Sequence, residues 1–368
     1  MQIEHQDILA LIKAALEANY TDVKNASNRI ASTFSKDNIE VAKQIKSLIR
    51  KKGVPLRSSG YSDALPVDAK SRSPLIEEHS WPVTPLFLNE DQKNIFDTFV
   101  SDVLNIETLV KHGLAGRLNL LLSGPPGTGK TLIAGHIAAQ LGRPLYVVRL
   151  DSVISSLLGD TAKNLRQVFD FVPSKNGVLF LDEVDAVAKL RDDTHEVGEL
   201  KRVVNTLIQG LDSLDDQSVV IAATNHSGLL DHAIWRRFPY KIRFELPSLE
   251  VRKDLINHYL FLDKGEEWIL NTLAAISKSL SGADIENVCL SARRRSILSG
   301  KPICVASVAR AILASETDHT AIAFNQELNT AQKRHTAQEL HTKHDISKVD
   351  LSKLLNVSRQ TISSYFRD

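Results

Sequence analysis

Apolar residues fall at helical spacing through the first part of the chain: Ile8, Leu9, Leu11, Ile12, Ala15 and Leu16, then Ile30 and Phe34, then Ile39, Val41, Ala42, Ile45 and Ile49. That spacing predicts a small bundle of short helices over residues 1–52. From Gly53 to Pro85 the pattern stops. Pro55, Pro66, Pro74, Pro82 and Pro85 interrupt any helix, and Ser, Gly and charge fill the intervals, so residues 53–86 read as a linker. Helical stretches then alternate with short β-branched runs at Leu118–Ser123, Pro144–Leu150, Val178–Asp182, Val219–Thr224 and Lys241–Leu246. Such alternation predicts an α/β domain over 87–247: a parallel five-stranded sheet sandwiched by helices, with ligands at the carboxyl ends of its strands. After Pro247 the strand pattern ends, and helices are expected over 248–316 and through an extension at 317–368.

Composition adds limits. Hydrophobic residues make up 43% and charged residues 24% of 368 residues, a globular balance that excludes fibrous or largely disordered classes. Lys+Arg at 45 nearly cancel Asp+Glu at 44, so any contact with nucleic acid must come from a local patch. Cys289 and Cys304 are too few for a disulfide framework and read as core thiols in a reducing cytoplasm. The amino terminus lacks a basic n-region, and no apolar run approaches the roughly 18 to 20 residues of a membrane span, so no membrane partner is expected.

The chemistry concentrates at the strand ends. Directly after the first long strand comes Gly124-Pro125-Pro126-Gly127-Thr128-Gly129-Lys130-Thr131, followed by a helical pattern from Leu132 to Gln140. In the GxxxxGK[ST] pattern, backbone N–H groups turn around a β-phosphate, the helix start adds its positive dipole end, and Lys130 reaches the β and γ oxygens. Thr131 is placed to ligate Mg²⁺, and Leu132 closes the nucleotide-binding stretch. Val178-Leu179-Phe180-Leu181 ends in Asp182 and Glu183. Asp182 would hold Mg²⁺, and Glu183 would polarise the attacking water as general base. Val219–Thr224 delivers Asn225 to the same edge, where an amide can orient water. Alone, an acidic pair after a strand is often a solvated turn, and a structural Asn reads the same way.

In sequence order, GPPGTGKT, LFLDEVDA, AATN and LDHAIWRRF resemble the AAA clade of the AAA+ ATPases, over roughly Leu86 to Ser315. The likeness extends to katanin- and spastin-type and membrane-protease-type modules. The resemblance implies an ATP- and Mg²⁺-dependent ATPase that assembles as a homo-oligomeric, hexameric ring. It makes Arg236 and Arg237 catalytic fingers reaching into a neighbour's site. It makes Gly282 and Ala283, within Ser281-Gly282-Ala283-Asp284, an arginine-free second sensor beside the base and ribose. Glu199, Arg202 and Asn205 resemble the family's interface helix. Leu157, Leu158 and Gly159 stand at the first pore loop, with Leu157 where the family commonly has an aromatic. Leucine still presses on a threaded chain but lacks the flat contact of a ring.

Residues 346–367 resemble a helix-turn-helix: Ser352 at the helix crossing, Asn356 in a left-handed turn, Val357 in the core and Ser358 as cap. Arg359, Gln360, Ser363 and Ser364 would then face a DNA major groove, although units of this pattern also mediate protein contacts. His341 and His344 lack a third metal ligand and are expected to be solvated. The amino-terminal helices resemble the adaptors that AAA proteins place before a linker, hence docking of a protein substrate or effector. The function expected is ATP-driven remodelling or regulation of a protein partner, with the carboxyl-terminal segment localising the assembly on DNA. The alternative is a nucleotide-switched DNA-binding regulator in which ATP controls assembly and hydrolysis is incidental.

Overall fold

The computed structural model describes residues 65–68, 72–114, 116–150, 161–186, 197–318 and 328–366, with side chains omitted at 197–202 and 316–318. Of residues 1–64 it describes Leu9, Ser27 and Ile30, which belong to a separate compact unit, Met1–Leu65. The expected amino-terminal bundle and the pore-loop residues Leu157, Leu158 and Gly159 therefore lie outside the described residues.

The second unit, Pro66–Asp368, is built on a six-stranded sheet of order β1-β3-β4-β5-β2-β6. The strands are β1 (Glu77–His79), β2 (Leu118–Ser123), β3 (Leu145–Arg149), β4 (Val178–Asp182), β5 (Val219–Thr224) and β6 (Tyr240–Arg243). Strands β2 to β6 run parallel as expected, with β2 and β5 buried along their whole length. Runs buried on both faces are what a helix-covered parallel sheet requires. Helices α1 (Glu90–Leu104), α2 (Ile106–Lys111), α3 (Lys130–Leu141), α4 (Thr161–Ser174), α5 (Val197–Ser213) and the short α6 (His232–Trp235) accompany the sheet.

Two boundaries differ from the sequence expectation. The stretch read as a linker, 53–86, contributes β1, which pairs antiparallel with β3 through Glu77↔Val147 and His79↔Leu145. Leu75 and Ile76 just before it are buried, and the Asn164 amide donates to the buried Asp68 at 2.7 Å. An antiparallel edge strand pairs through its backbone, so its polar sequence, Glu-Glu-His, left no hydrophobic signal. At the other edge β6 stops at Arg243, short of the expected Leu246, and Phe244 N–H still reaches the Ser123 carbonyl at 2.7 Å.

Beyond the sheet, α7 (Leu249–Phe261), α8 (Glu267–Ile276), α9 (Gly282–Ser299) and α10 (Val305–Asp318) form the helical lid. The extension folds as α11 (Thr330–His344), α12 (Lys348–Leu354) and α13 (Arg359–Tyr365). One buried cluster runs from Leu255, Leu273 and Ile285 through Ile312 to Leu340, Leu351, Ile362 and Tyr365, so lid and extension share a hydrophobic core. Lys353 also sits over the Trp268 ring, 5.8 Å from its centroid.

Candidate nucleotide site at the carboxyl edge of the sheet

Register sets the site. Ser123 pairs with Thr224 on one side and Arg243 on the other, while Leu181 pairs with Ala222. Gly124 after β2, Asp182–Glu183 at the end of β4 and Asn225 after β5 therefore emerge together at one carboxyl edge. Gly124 donates its N–H to the Thr224 carbonyl at 3.2 Å. A Cβ on Gly124 would lie 2.3 Å from the Phe244 carbonyl oxygen, so only glycine lets the loop leave β2 between its neighbours.

The loop turns into α3 at Gly129, which offers no side-chain cap to the first N–H groups of the helix. Those donors and the dipole end face the cleft, the arrangement that attracts anions. Lys130 is 8% exposed, and its ammonium donates to the carbonyls of Gly124 and Pro125, each at 2.8 Å. Burial pulls its pKa down from the usual lysine value, opposed by the charges of Asp182 and Asp185. Thr128 Oγ1 ties the loop to the Pro125 carbonyl at 2.8 Å, and Thr131 is exposed on the first turn of α3.

On β4, Asp182 Oδ1 accepts the N–H of Glu183 at 2.9 Å. Glu183 has φ of 56°, a left-handed conformation costing a non-glycine residue about 1–2 kcal/mol. The turn is held by Val184 N–H to the Ala223 carbonyl at 3.0 Å and Ala186 N–H to the Glu183 carbonyl at 2.8 Å.

The lid closes the cleft from above. Ala283 N–H donates to the Gly127 carbonyl at 3.0 Å, and a Cβ on Gly127 would lie 2.6 Å from Ser281 Oγ. Ser281 and Asp284 form a reciprocal capping box at the start of α9, which fixes Gly282 and Ala283 against the phosphate loop. The resulting cavity of about 940 Å³ is lined by Gly127 to Ile133, Asp182, Glu183, Asn225, Gly282 and Ala283. It thus gathers the phosphate loop, the acidic pair, Asn225 and the small lid residues expected from the sequence. Thr84 and Leu86–Leu88 also line it, which the sequence reading missed because prolines hid them. The His136 ring meets the Thr84 carbonyl at 2.8 Å, and Gly135 lacks a Cβ that would lie 2.8 Å from Pro82. A glycine within α3 was the available signal for this close approach.

Other expected residues lie elsewhere. Arg236 is exposed, and neither it nor Arg237 is among the described residues lining the cleft. Arg237 is engaged: its guanidinium pairs with Asp212 at 3.1 Å and donates to the Ala233 carbonyl at 2.9 Å. Asp212 is also bonded by Arg117, and the hydrogen bond from Arg237 leads in holding its carboxyl below the usual range. Asn205 is exposed on α5, and the side chains of Glu199 and Arg202 lie outside the described residues.

In the extension, Asn356 has φ of 49° and Ser358 Oγ accepts Thr361 N–H at 3.1 Å, as a helix-turn-helix would require. Arg359, Gln360 and Ser364 are exposed and Ser363 half-buried; both serine hydroxyls donate within their own helix, Ser363 to Arg359 and Ser364 to Thr361. His341 and His344 are half-buried rather than solvated, because the His341 ring packs on Phe366 at 4.9 Å and its Nδ1 meets the Ile346 carbonyl at 2.9 Å.

The fold and edge geometry define a P-loop nucleotide-binding domain of the AAA kind. Residues 120–246 match the family described as "ATPase family associated with various cellular activities (AAA)", and they form an AAA family ATPase domain. The chain is similar, at 42% identity over 54% of its length and 60% of the relative, to an uncharacterized AAA family ATPase of Sinorhizobium fredii. It is 34% identical over 58% of its length to a proteasome-activating nucleotidase of Sulfurisphaera tokodaii, covering 57% of that protein. The match thus spans little more than half the length of these curated relatives. The FIGL-1 AAA domain shares the fold, with a TM-score of 0.54 at 22% identity, over 73% of this chain and 92% of that one. No helix among the described residues is long and apolar enough to cross a membrane.

The site suits Mg-ATP on its own geometry. The α3 start has no side-chain cap, its first turn lines the cavity, and the Thr131 hydroxyl and Asp182 carboxylate are the hard oxygen donors magnesium prefers.

Proposed function

We propose that this chain is an Mg²⁺-dependent ATPase that acts in a head-to-tail, hexameric ring in the cytoplasm and uses turnover to remodel a protein partner. The observation carrying this reading is the division of charged groups. Lys130, Asp182, Glu183 and Asn225 line one cleft, while Arg236 stands exposed outside it, where a neighbouring copy's cleft can receive it. Arg237, held by Asp212, anchors the loop that presents Arg236.

Each group has a task that follows from its place. The first N–H groups of α3 and the Lys130 ammonium bind the β and γ phosphate oxygens. Thr131 and Asp182 would hold magnesium, which neutralises charge on the transferring phosphoryl when bound. The strained turn at Glu183 aims its carboxylate at the cleft to take a proton from water, and Asn225 orients that water. Gly282 and Ala283 leave space for base and ribose beside Leu86 and Leu88. Arg236 of a neighbour completes the positive surround.

The names of the proteasome-activating nucleotidase relatives support a protein-directed role, with residues 1–52 as docking module and Leu157 pressing on the handled chain. A second reading, a DNA-tethered or DNA-regulating assembly, draws support from exposed Arg359 and Gln360 on α13. Salt-dependent DNA binding that Arg359→Ala abolishes would favour it; no DNA binding with ATP at low salt would remove it.

The main proposal is tested by Glu183→Gln with ATP. The variant should bind ATP, sediment as a ring and hydrolyse slowly. A variant that hydrolyses at the wild-type rate, or stays monomeric at saturating ATP, contradicts the proposal.

A further inference from the structure

Asp185 lies one turn beyond the acidic pair and is 1% exposed. A buried carboxylate without partners would be costly, and this one is partnered in a telling place. Its Oδ1 accepts the Thr224 hydroxyl at 3.0 Å and the backbone N–H of Asn225 at 3.2 Å. Thr224 Oγ1 in turn accepts the N–H of His226 at 3.0 Å. The carboxylate therefore spans from the turn after β4, where Glu183 sits, to the last residue of β5 and the first residue beyond it. Beyond Leu181↔Ala222 the β4–β5 ladder ends, so the sheet itself no longer fixes the spacing between these segments. Across that gap run Val184 N–H to the Ala223 carbonyl and the bonds made by Asp185.

From this arrangement we infer that Asp185 is a positioning residue for ATP hydrolysis: it clamps Asn225 to the Glu183 turn, so that the amide and the general base address the same water. The inference rests on the proposed ATPase reading of the site. It assigns Asp185 no contact with nucleotide: Asp185 is not among the described residues lining the cleft, and its Oδ1 is turned to Thr224 and Asn225. Its loss should loosen the relative placement of two groups that act only during hydrolysis. Binding by α3 and Lys130 is built on other elements and should largely persist, and Thr224→Val, which leaves the Asp185 charge beside Lys130 in place, controls for the field that Asp185 exerts there.

The test uses the full chain and reads kcat, KM and ATP affinity together with the melting temperature. Asp185→Leu, which removes the acceptor, should lower kcat about 10- to 100-fold with ATP affinity within about threefold of wild type. Asp185→Asn keeps an acceptor oxygen at the same position and should restore most of that loss. Should Asp185→Leu fail to fold, Thr224→Val deletes one of the two donors without touching the buried charge, and should lower kcat by a smaller factor at unchanged affinity. Wild-type kcat in Asp185→Leu or, where it does not fold, in Thr224→Val overturns the inference; so does a loss in which affinity falls in step with kcat. Glu183→Gln run in parallel separates the two claims. If it turns over normally, the ATPase reading itself fails; if it is slow while the Asp185 and Thr224 variants are fast, only the clamp fails.

Discussion

Helices α3 and α13 each begin after a tight turn containing a left-handed residue, and they treat their first N–H groups differently. Before α3 the turn is Gly127-Thr128-Gly129, and no side chain caps the helix. Before α13 the turn is Asn356-Val357-Ser358, and Ser358 Oγ takes the Thr361 N–H at 3.1 Å while Ser363 and Ser364 donate back into their own helix. The first start leaves donors and dipole for an external anion; the second is capped by Ser358, with Arg359, Gln360 and Ser364 exposed along it. Motifs of equal legibility thus differ in purpose. One is a cleft-facing start made of uncapped backbone donors, and the other is a structural joint capped by its own serine.

The contrast breaks most visibly at the α3 edge. Glu183→Gln should lower kcat by about 10²- to 10⁴-fold while ATP still binds, measured by single-turnover hydrolysis alongside binding. Lys130→Ala should weaken ATP affinity by about 10- to 100-fold, since it removes a charge-assisted contact to phosphate; calorimetric titration at fixed Mg²⁺ reads this. At the α13 joint the scale is smaller. Ser358→Ala should cost about 1 kcal/mol of stability with no change in ATP affinity, checked by thermal melts and the same titration. A loss of ATP binding there would undo the contrast.

The smallest effect concerns Asp212, whose carboxyl is held low by Arg237 and then Arg117. A depressed carboxylate contributes stability above its unfolded value and loses it as pH falls through the folded one. Its side chain is 35% exposed, so Asp212→Asn should cost only about 0.2–1 kcal/mol at pH 7, with the gap closing below about pH 4. Melting curves of both proteins at the two pH values check this.

The parts of the fold that were legible in the sequence share a physical feature. Strands β2, β4 and β5 coincide with the expected spans because they are buried on both faces and read as continuous apolar runs. The phosphate loop and acidic pair were legible because glycine, lysine and carboxylate chemistry restricts where such residues can be placed. Strand β1 was hidden because it pairs by backbone at an edge, and Thr84–Leu88 because Pro82 and Pro85 resemble a linker until Gly135 is seen to admit Pro82. Asp185 was hidden because a buried clamp and a solvated turn carry the same residue. The shared core of lid and extension was equally invisible, since helical periodicity reports an apolar face and not what covers it. Cys289, read as a core thiol, is 1% exposed and pushed up to about 12 by burial, which suits an inert packing role.

The measurement closest to the central claim mixes two inactive proteins. On this account Lys130→Ala retains Arg236 but has a cleft too weak for ATP to work in, while Arg236→Ala keeps an intact cleft but would lack the group owed to its neighbour. Combined at varied ratios, they should regain ATPase activity, greatest near equal proportions, because hybrid interfaces pair an intact cleft with an intact arginine. Activity that never exceeds the sum of the separate proteins, in mixtures shown to co-assemble, would contradict a site divided between two copies.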